Sequence, residues 1–270
     1  LKELPPKTRT SIPLEIDNRE LYNLCDTDFI RYLVETEQYE RAARLENSWA
    51  LALVQIGELK KLAARGKLAQ AIEWITDFLA TGQKLVFFAD HIEIVEGVAK
   101  HFGVTPLYGA TPNNRRQGTV DRFQTDPECR LFVSNIATGG LGITLTAASN
   151  VAFMELGWTP GIHNQAEDRC HRIGQKDNVT AHYLLGAGTI DETIVALIEQ
   201  KRELVDAVTD GTNLPGSAGS IAKALLATLG KRFRRNSSTG RWEQVTVEEL
   251  ESVAKVEDLS DQELDRLWSA

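Results

Sequence analysis

Between residues 84 and 185 the chain alternates short, near-continuous apolar runs with longer segments in which apolar positions recur every three or four residues. Runs of the first kind suit strands covered on both faces, and segments of the second kind suit amphipathic helices. The predicted strands are Lys84–Ala89, Val104–Tyr108, Arg130–Asn135, Asn150–Glu155 and Val179–Leu185. The predicted helices lie at about Leu68–Thr81, Ile92–Phe102, Pro112–Gln124 and Gly161–Ile173, with a further one at Thr189–Thr209. Thr189 and Glu192 open the last with capping-box spacing, and Ile190, Ile194, Leu197, Ile198 and Val205 repeat along it at helical intervals. This alternation predicts an α/β fold, a parallel sheet with helices on both faces.

The flanks read differently. Thr8–Ile16 alternates like a strand, and a charged, mostly helical stretch then runs from about Arg19 to Ala64 and closes at Gly66. After Asp210, Gly211–Gly219 reads as a flexible joint. Ser220–Leu229 reads as a helix, Phe233–Val245 as a hairpin around Ser238-Thr239-Gly240, and Thr246/Glu249 and Ser260/Glu263 as the starts of two short helices. The chain thus divides into residues 1–65, a helical insertion or linker; 66–210, the α/β lobe; and 211–270, a linker and accessory segment.

Composition narrows the class. With 270 residues and 42% hydrophobic content, one large or two small packed domains are expected. No apolar run approaches the roughly 20 residues that span a bilayer, and Leu1-Lys2-Glu3-Leu4-Pro5-Pro6 lacks a signal-peptide pattern. An intracellular protein without a membrane partner is expected, and the absence of an initiator Met suggests a piece of a longer polypeptide. The three cysteines, Cys25, Cys129 and Cys170, and the five histidines are scattered without metal-ligand spacing, so reduced thiols and no metal site are expected. A formal charge of −8 argues against wholesale coating of nucleic acid. Two local basic stripes remain: Arg115, Arg116 and Arg122, and Lys231, Arg232, Arg234, Arg235 and Arg241 with Phe233 and Trp242 between them.

The chemistry concentrates in Gln165-Ala-Glu-Asp168-Arg169-Cys-His-Arg172-Ile-Gly174-Gln175. On a helix, Gln165, Asp168, Arg169 and Arg172 share one face. Two arginines three residues apart repel by roughly 0.2–0.5 kcal/mol on a bare helix, which fits either an anionic ligand or a solvated face neutralised by Asp168. Before it, Leu131–Thr146 is a buried strand that leads into a loop rich in glycine and hydroxyls, Ser134, Thr138, Gly139, Gly140, Gly142, Thr144 and Thr146. Such a loop serves either as a phosphate cradle or as a simple strand-to-helix connection. Trp158 at the next strand tip suits either the core or the surface of a bound strand, and Pro160 starts the arginine helix.

In order and spacing, Lys84–His91, Gly109–Phe123, Ser134–Thr146, Trp158–Pro160 and Gln165–Gln175 resemble motifs IV to VI of the Swi/Snf-like superfamily-two DNA translocases. The likeness covers about residues 66–210, and its most specific part is Gln-x-x-Asp-Arg-x-His-Arg-Ile-Gly-Gln. Leu4-Pro5-Pro6-Lys7 resembles the segment that follows the first lobe in that family. Gln165-Ala-Glu-Asp-Arg, His182-Tyr-Leu, Gly188-Thr and Asp191-Glu192 look most like the HARP-type annealing-helicase branch, whereas Thr138-Gly139-Gly140 is nearer the chromatin-remodeller pattern. The resemblance implies the second RecA-like lobe of a motor that hydrolyses ATP between two lobes while moving along duplex DNA. It implies that Arg169 and Arg172 face the nucleotide, Arg172 as the finger on the terminal phosphate, with Gln165 at the same cleft and Asp168 orienting Arg169. Gly140 and Gly142 would border the cofactor, and Ser134–Thr146 would couple the cleft to the DNA backbone. His91, Gly109, Arg116, Ser134, Thr138, Thr144 and Trp158 take DNA-side positions, and Thr189–Thr209 resembles a bracing helix. Residues 1–65 become an insertion after the first lobe.

Neither Gly-x-x-x-x-Gly-Lys-[Ser/Thr] nor Asp-Glu-x-His occurs, and Gly66-Lys67-Leu68 and Gly230-Lys231-Arg232 lack the magnesium-binding hydroxyl. ATP and Mg2+ are therefore expected to be held mainly by an absent N-terminal lobe, and the chain alone is expected to hydrolyse no ATP. The expected partners are that lobe and DNA, duplex or forked and gripped without regard to sequence, in a DNA-associated place within the cell. Two alternatives of another class stand beside this. One is a non-catalytic DNA-binding or regulatory module on the same fold, which net acidity favours. The other is a scaffold whose Lys231–Trp242 tail binds a protein.

Overall fold

The computed structural model describes residues 4–43, 48–109, 111–137, 142–157, 159–209, 231–239 and 242–246. Its elements follow in the order β1 (Lys7–Leu14), α1 (Arg19–Thr27), α2 (Phe29–Glu35), α3 (Tyr39–Ala43), α4 (Ser48–Gly66), α5 (Leu68–Ala80), β2 (Leu85–Ala89), α6 (Ile92–Phe102), α7 (Asn113–Thr125) and β3 (Leu131–Asn135). After these come β4 (Asn150–Phe153), α8 (Pro160–Glu167), β5 (Val179–Gly186), α9 (Ile190–Thr209), β6 (Lys231–Arg235) and β7 (Trp242–Thr246). Among the described residues no helix is long and apolar enough to cross a membrane.

Strands β1–β5 form one parallel sheet in the order β1-β5-β4-β2-β3, the α/β architecture expected from the alternating pattern and the RecA-like lobe that the resemblance implies. Alternate residues of each strand feed two layers. On one face Leu85, Phe87 and Ala89 join Leu131, Val133, Ala152 and Leu184 against Ala71 and Ile75 of α5 and Ile94, Val95 and Val98 of α6. On the other, Phe88 stacks on Phe153 at 5.8 Å, and Phe153 meets Tyr183 at 5.4 Å and His163 of α8 at 5.2 Å. Phe132 meets Phe123 of α7 at 5.3 Å on that side. Full burial of each such side chain stabilises by about 1.5–3 kcal/mol, which explains why the central strands read as unbroken apolar runs.

The chain separates into two compact units, residues 1–17 with 64–192, and residues 18–63 with those from 193 onward. In the second, Phe29 and Tyr32 stack at 5.7 Å, Tyr32 donates to Glu58 at 2.8 Å, and Gln55 donates to the Cys25 carbonyl at 2.9 Å. Its described hairpin, β6 with β7, is antiparallel and pairs Phe233 with Gln244, as the sequence predicts. The predicted elements at Ser220–Leu229 and after Thr246 lie outside the described residues.

Four sequence expectations change. The alternating segment near Thr8 is a strand, but it belongs to the lobe: β1 pairs along its whole length with β5, from Lys7 opposite Val179 to Leu14 opposite Gly186. The boundary at residue 65 therefore moves, because the lobe recruits its edge strand from before the helical segment. Val104–Tyr108 reduces to a single bridge of Leu107 with Ser134, in which the Leu107 N–H donates to the Val133 carbonyl and the Leu107 carbonyl accepts from the Asn135 N–H, both at 3.0 Å. The Thr189 and Glu192 cap is offset: Thr189 Oγ1 accepts from the Asp191 N–H at 3.3 Å, while Glu192 takes the Gly188 N–H at 3.0 Å. Finally, α8 ends at Glu167 instead of Ile173.

Candidate functional site

The early stop of α8 shapes the arginine segment. The Arg169 carbonyl accepts from Leu145 N–H at 2.8 Å, and the Cys170 carbonyl accepts from Gln175 Nε2 at 3.2 Å, so neither is left for a helical ladder. Buried Gln175 also donates to the carbonyls of Thr146 (3.3 Å) and Ala148 (2.8 Å), and Gly174 takes φ +104°, a left-handed conformation suited to glycine. Residues 168–175 thus form a turn fastened to the loop before β4. Gln165, Asp168, Arg169 and Arg172 do not share one helical face, as the sequence had suggested.

Within this turn Arg169 is 7% exposed, while Arg172 is half-buried and donates from Nη1 to Thr144 Oγ1 at 3.3 Å and the Ile143 carbonyl at 3.5 Å. Burial and the nearby Arg172 charge both lower the proton affinity of Arg169, and Asp168 opposes them. A guanidinium remains charged at any working pH, so the turn concentrates two mutually repelling cations. Such an arrangement gains most from an incoming anion. The donors are cationic or hydroxylic, which fits phosphate oxygens and not a magnesium ion, and among the described residues no cluster of His, Cys, Asp and Glu is arranged to hold a metal.

Thr144 also borders a cleft of about 740 Å³ between α7 and the 142–144 loop, lined by Asn113, Arg116, Gln117, Asp121, Gln124 and Gly142. Gln124 fixes the loop to α7, accepting from the Ala147 N–H at 2.9 Å and donating to Thr146 at 3.3 Å. Arg116 reaches the carbonyls of Gly109 and Thr111, both at 3.0 Å, so it braces the turn that leads into α7.

A second cluster forms beyond the carboxyl ends of β2, β3 and β4. Glu155, 3% exposed, accepts the N–H groups of Asp90 and His91, each at 2.9 Å, and its other oxygen contacts His91 Nδ1. Asn135 donates to the Asp90 carbonyl and accepts from the Ala137 N–H at 2.8 Å. The carboxylate sits at the positive N-terminal end of α6 and aligns a His91 ring whose side chain is 33% exposed.

The candidates sort as follows. Arg116, Gly142 and Thr144 line the α7 cleft, and Arg172 bonds to Thr144 from the adjoining turn, which also holds Arg169. Asp168 takes Lys7 Nζ at 3.0 Å, and Gln165 is exposed on α8. Ser134, expected on the DNA side, is corrected: it is 0% exposed, and its hydroxyl bonds to the Leu107 and Asn135 carbonyls at 3.1 and 3.2 Å. A hydroxyl facing the sheet interior cannot meet DNA. Thr138, Gly140 and Trp158 lie outside the described residues, and His91 and exposed Gly109 stand apart from the arginine turn.

Sequence reasoning missed Glu155 and Glu167. The Glu167 carboxylate, fully buried, receives Arg9 Nε at 2.9 Å and Arg9 Nη2 at 2.7 Å in bidentate fashion, Lys7 Nζ at 3.0 Å and the Tyr183 hydroxyl at 3.0 Å. Burial alone would raise its pKa, but the Arg9 and Lys7 bonds and charges prevail and hold it below the usual carboxylate range. The available signal was Lys7 and Arg9 two residues apart on one strand face, matched by the adjacent acids Glu167 and Asp168.

Comparison with known proteins bears on the family and the fold. The family described as helicase conserved C-terminal domain matches residues 67–174. The DNA annealing helicase and endonuclease ZRANB3 of Mus musculus is 32% identical over 222 residues, 78% of this chain and 20% of that protein. The chain thus spans about a fifth of the length of such curated relatives. Among solved structures, the C-terminal part of the Fun30 ATPase domain superposes with a TM-score of 0.62 at 16% identity, covering 84% of this chain and 99% of that one. The Sulfolobus solfataricus SWI2/SNF2 ATPase core in complex with dsDNA gives 0.56 at 26% identity, covering 77% and 47%.

Proposed function

Because the chain belongs to the Swi/Snf-like superfamily-two group, as a C-terminal RecA-like helicase lobe, we propose that it is the second half of an ATP-driven translocase on duplex DNA. In this reading Arg169 and Arg172 hold the phosphate end of ATP, and ATP with Mg2+, bound mainly by an N-terminal lobe, supplies the hydrolysis that drives movement. The observation that carries the reading is the 168–175 turn, which holds two guanidinium groups close enough to repel beside a polar cleft.

The chain's own residues have defined tasks. Thr144 and the Ile143 carbonyl aim Arg172, whose donors stabilise charge growing on a transferred phosphoryl group. Burial of Arg169 keeps its charge weakly screened. Gln175 ties the turn to the loop before β4, so a shift of the arginines moves Gly142 and Thr144 along the α7 cleft. That cleft, with Arg116 bracing its rim, contacts the DNA backbone, and His91 presents its ring from the carboxyl edge of the sheet. Backbone contact alone gives sequence-independent, salt-sensitive binding within the cell. The annealing activity in the name of ZRANB3 makes strand re-pairing the preferred outcome of that movement.

The test compares ATP hydrolysis by the isolated 270-residue chain with that of the polypeptide joining it to an ATP-binding lobe, each with and without duplex DNA. DNA-stimulated turnover by the joined polypeptide alone is expected. Hydrolysis by the isolated chain, or none by the joined one, overturns the proposal, and DNA binding without hydrolysis in the joined form points to a non-catalytic module.

A further inference from the structure

We infer that Lys7 and Arg9 of β1 are positioning residues for Arg172, an inference that rests on the function proposed above. Their grip covers the chain leading into the arginines. Arg9 Nη2 reaches Asn164 Oδ1 at 3.1 Å as well as Glu167 Oε2, and Lys7 spans Glu167 and Asp168, both at 3.0 Å. The His171 ring, immediately before Arg172, meets the Pro5 carbonyl at 2.7 Å. Contacts from Pro5, Lys7 and Arg9 therefore bracket residues 164–171.

Two features make this more than local packing. The ladder of β1 with β5 fixes the register of Lys7 and Arg9, and β5 contributes Tyr183 to the same carboxylate, so the clasp is referenced to the sheet itself. The clasp also occupies the two carboxylates nearest in sequence to Arg169. Arg9 and Lys7 fill the buried Glu167 carboxylate, so the segment that leads into the arginines is anchored to β1. Catalytic donors tolerate little displacement, since a misplacement of about 1 Å costs on the order of 10²-fold in rate.

The experiment measures kcat and KM for ATP, and duplex affinity, in the polypeptide joining this chain to its ATP-binding lobe, for Arg9→Ala, Arg9→Lys, Lys7→Gln and Arg172→Ala. Arg9→Ala is expected to lower kcat about 10- to 100-fold, with KM and DNA affinity within about twofold of the parent, and Arg9→Lys to recover most of that loss. Lys7→Gln, which leaves the Arg9–Glu167 pair in place, shifts kcat in the same direction by less and serves where Arg9→Ala does not fold. Unchanged kcat in both Arg9→Ala and Lys7→Gln, or a parallel fall of kcat and DNA affinity, overturns the inference. If Arg172→Ala turns over normally, the function proposed above falls with it. If Arg172→Ala is inactive while the Arg9 and Lys7 variants are normal, only the positioning role is lost.

Discussion

At the scale of single residues, Glu167 is where stability and site geometry meet. Its folded pKa lies below the ordinary 4.5, so its contribution to stability is fully present above that value and is lost as pH falls through the folded pKa. Glu167→Gln removes that dependence. Urea unfolding of the parent and variant chains should show a gap that is constant between pH 6 and 7 and narrows below pH 4.5. A gap independent of pH down to 3 contradicts the assigned ion pairs. Arg116→Ala should reduce DNA stimulation of hydrolysis while leaving the basal rate intact, and an unchanged DNA response removes Arg116 from the interface. The arginines were legible because one uninterrupted string carries them. The partners of Glu167 were not, because Arg9 lies 158 residues away and only the sheet brings the two together.

At the scale of elements, local chemistry predicted most boundaries, and tertiary contacts decided the rest. Helix α6 was legible end to end, with Gly103 closing it at φ +65°. Helix α8 was not, because the bonds that end it come from Leu145 and Gln175, and no helical propensity reports them. Another long-range tie joins the starts of α5 and α9: buried Lys67 donates to Asp191 at 2.5 Å and to the Leu184 carbonyl at 2.7 Å, and Asp191 also accepts the Gly186 N–H at 2.9 Å. Gly-Lys at this point is thus a structural lysine and not a phosphate loop. Lys67→Met should cost about 3–5 kcal/mol by stranding a buried carboxylate, and adding Asp191→Asn, which keeps an acceptor for Gly186, should recover a substantial part. Equal unfolding midpoints for the parent and Lys67→Met contradict this role.

At the scale of the whole molecule, a chain of net charge −8 is proposed to grip a polyanion, which works only if binding is confined to a local cationic surface. The logarithm of the duplex binding constant of the joined polypeptide should fall linearly with log salt, and affinity should differ by less than about twofold between unrelated sequences. The parallel α/β class was legible because both faces of the sheet are covered, and its RecA-like identity came from the motif resemblance. The strand at the sheet edge was legible from its alternation, but its place in the lobe was not, because a long helical segment separates it from the other strands. The most direct test of the central claim, that Arg172 acts on a triphosphate held by another lobe, is single-turnover ATP hydrolysis on duplex DNA by the joined polypeptide, parent against Arg172→Ala. A loss of about 10³-fold with unchanged DNA affinity is expected. Turnover within about twofold of the parent, or an equal loss of DNA binding, contradicts it.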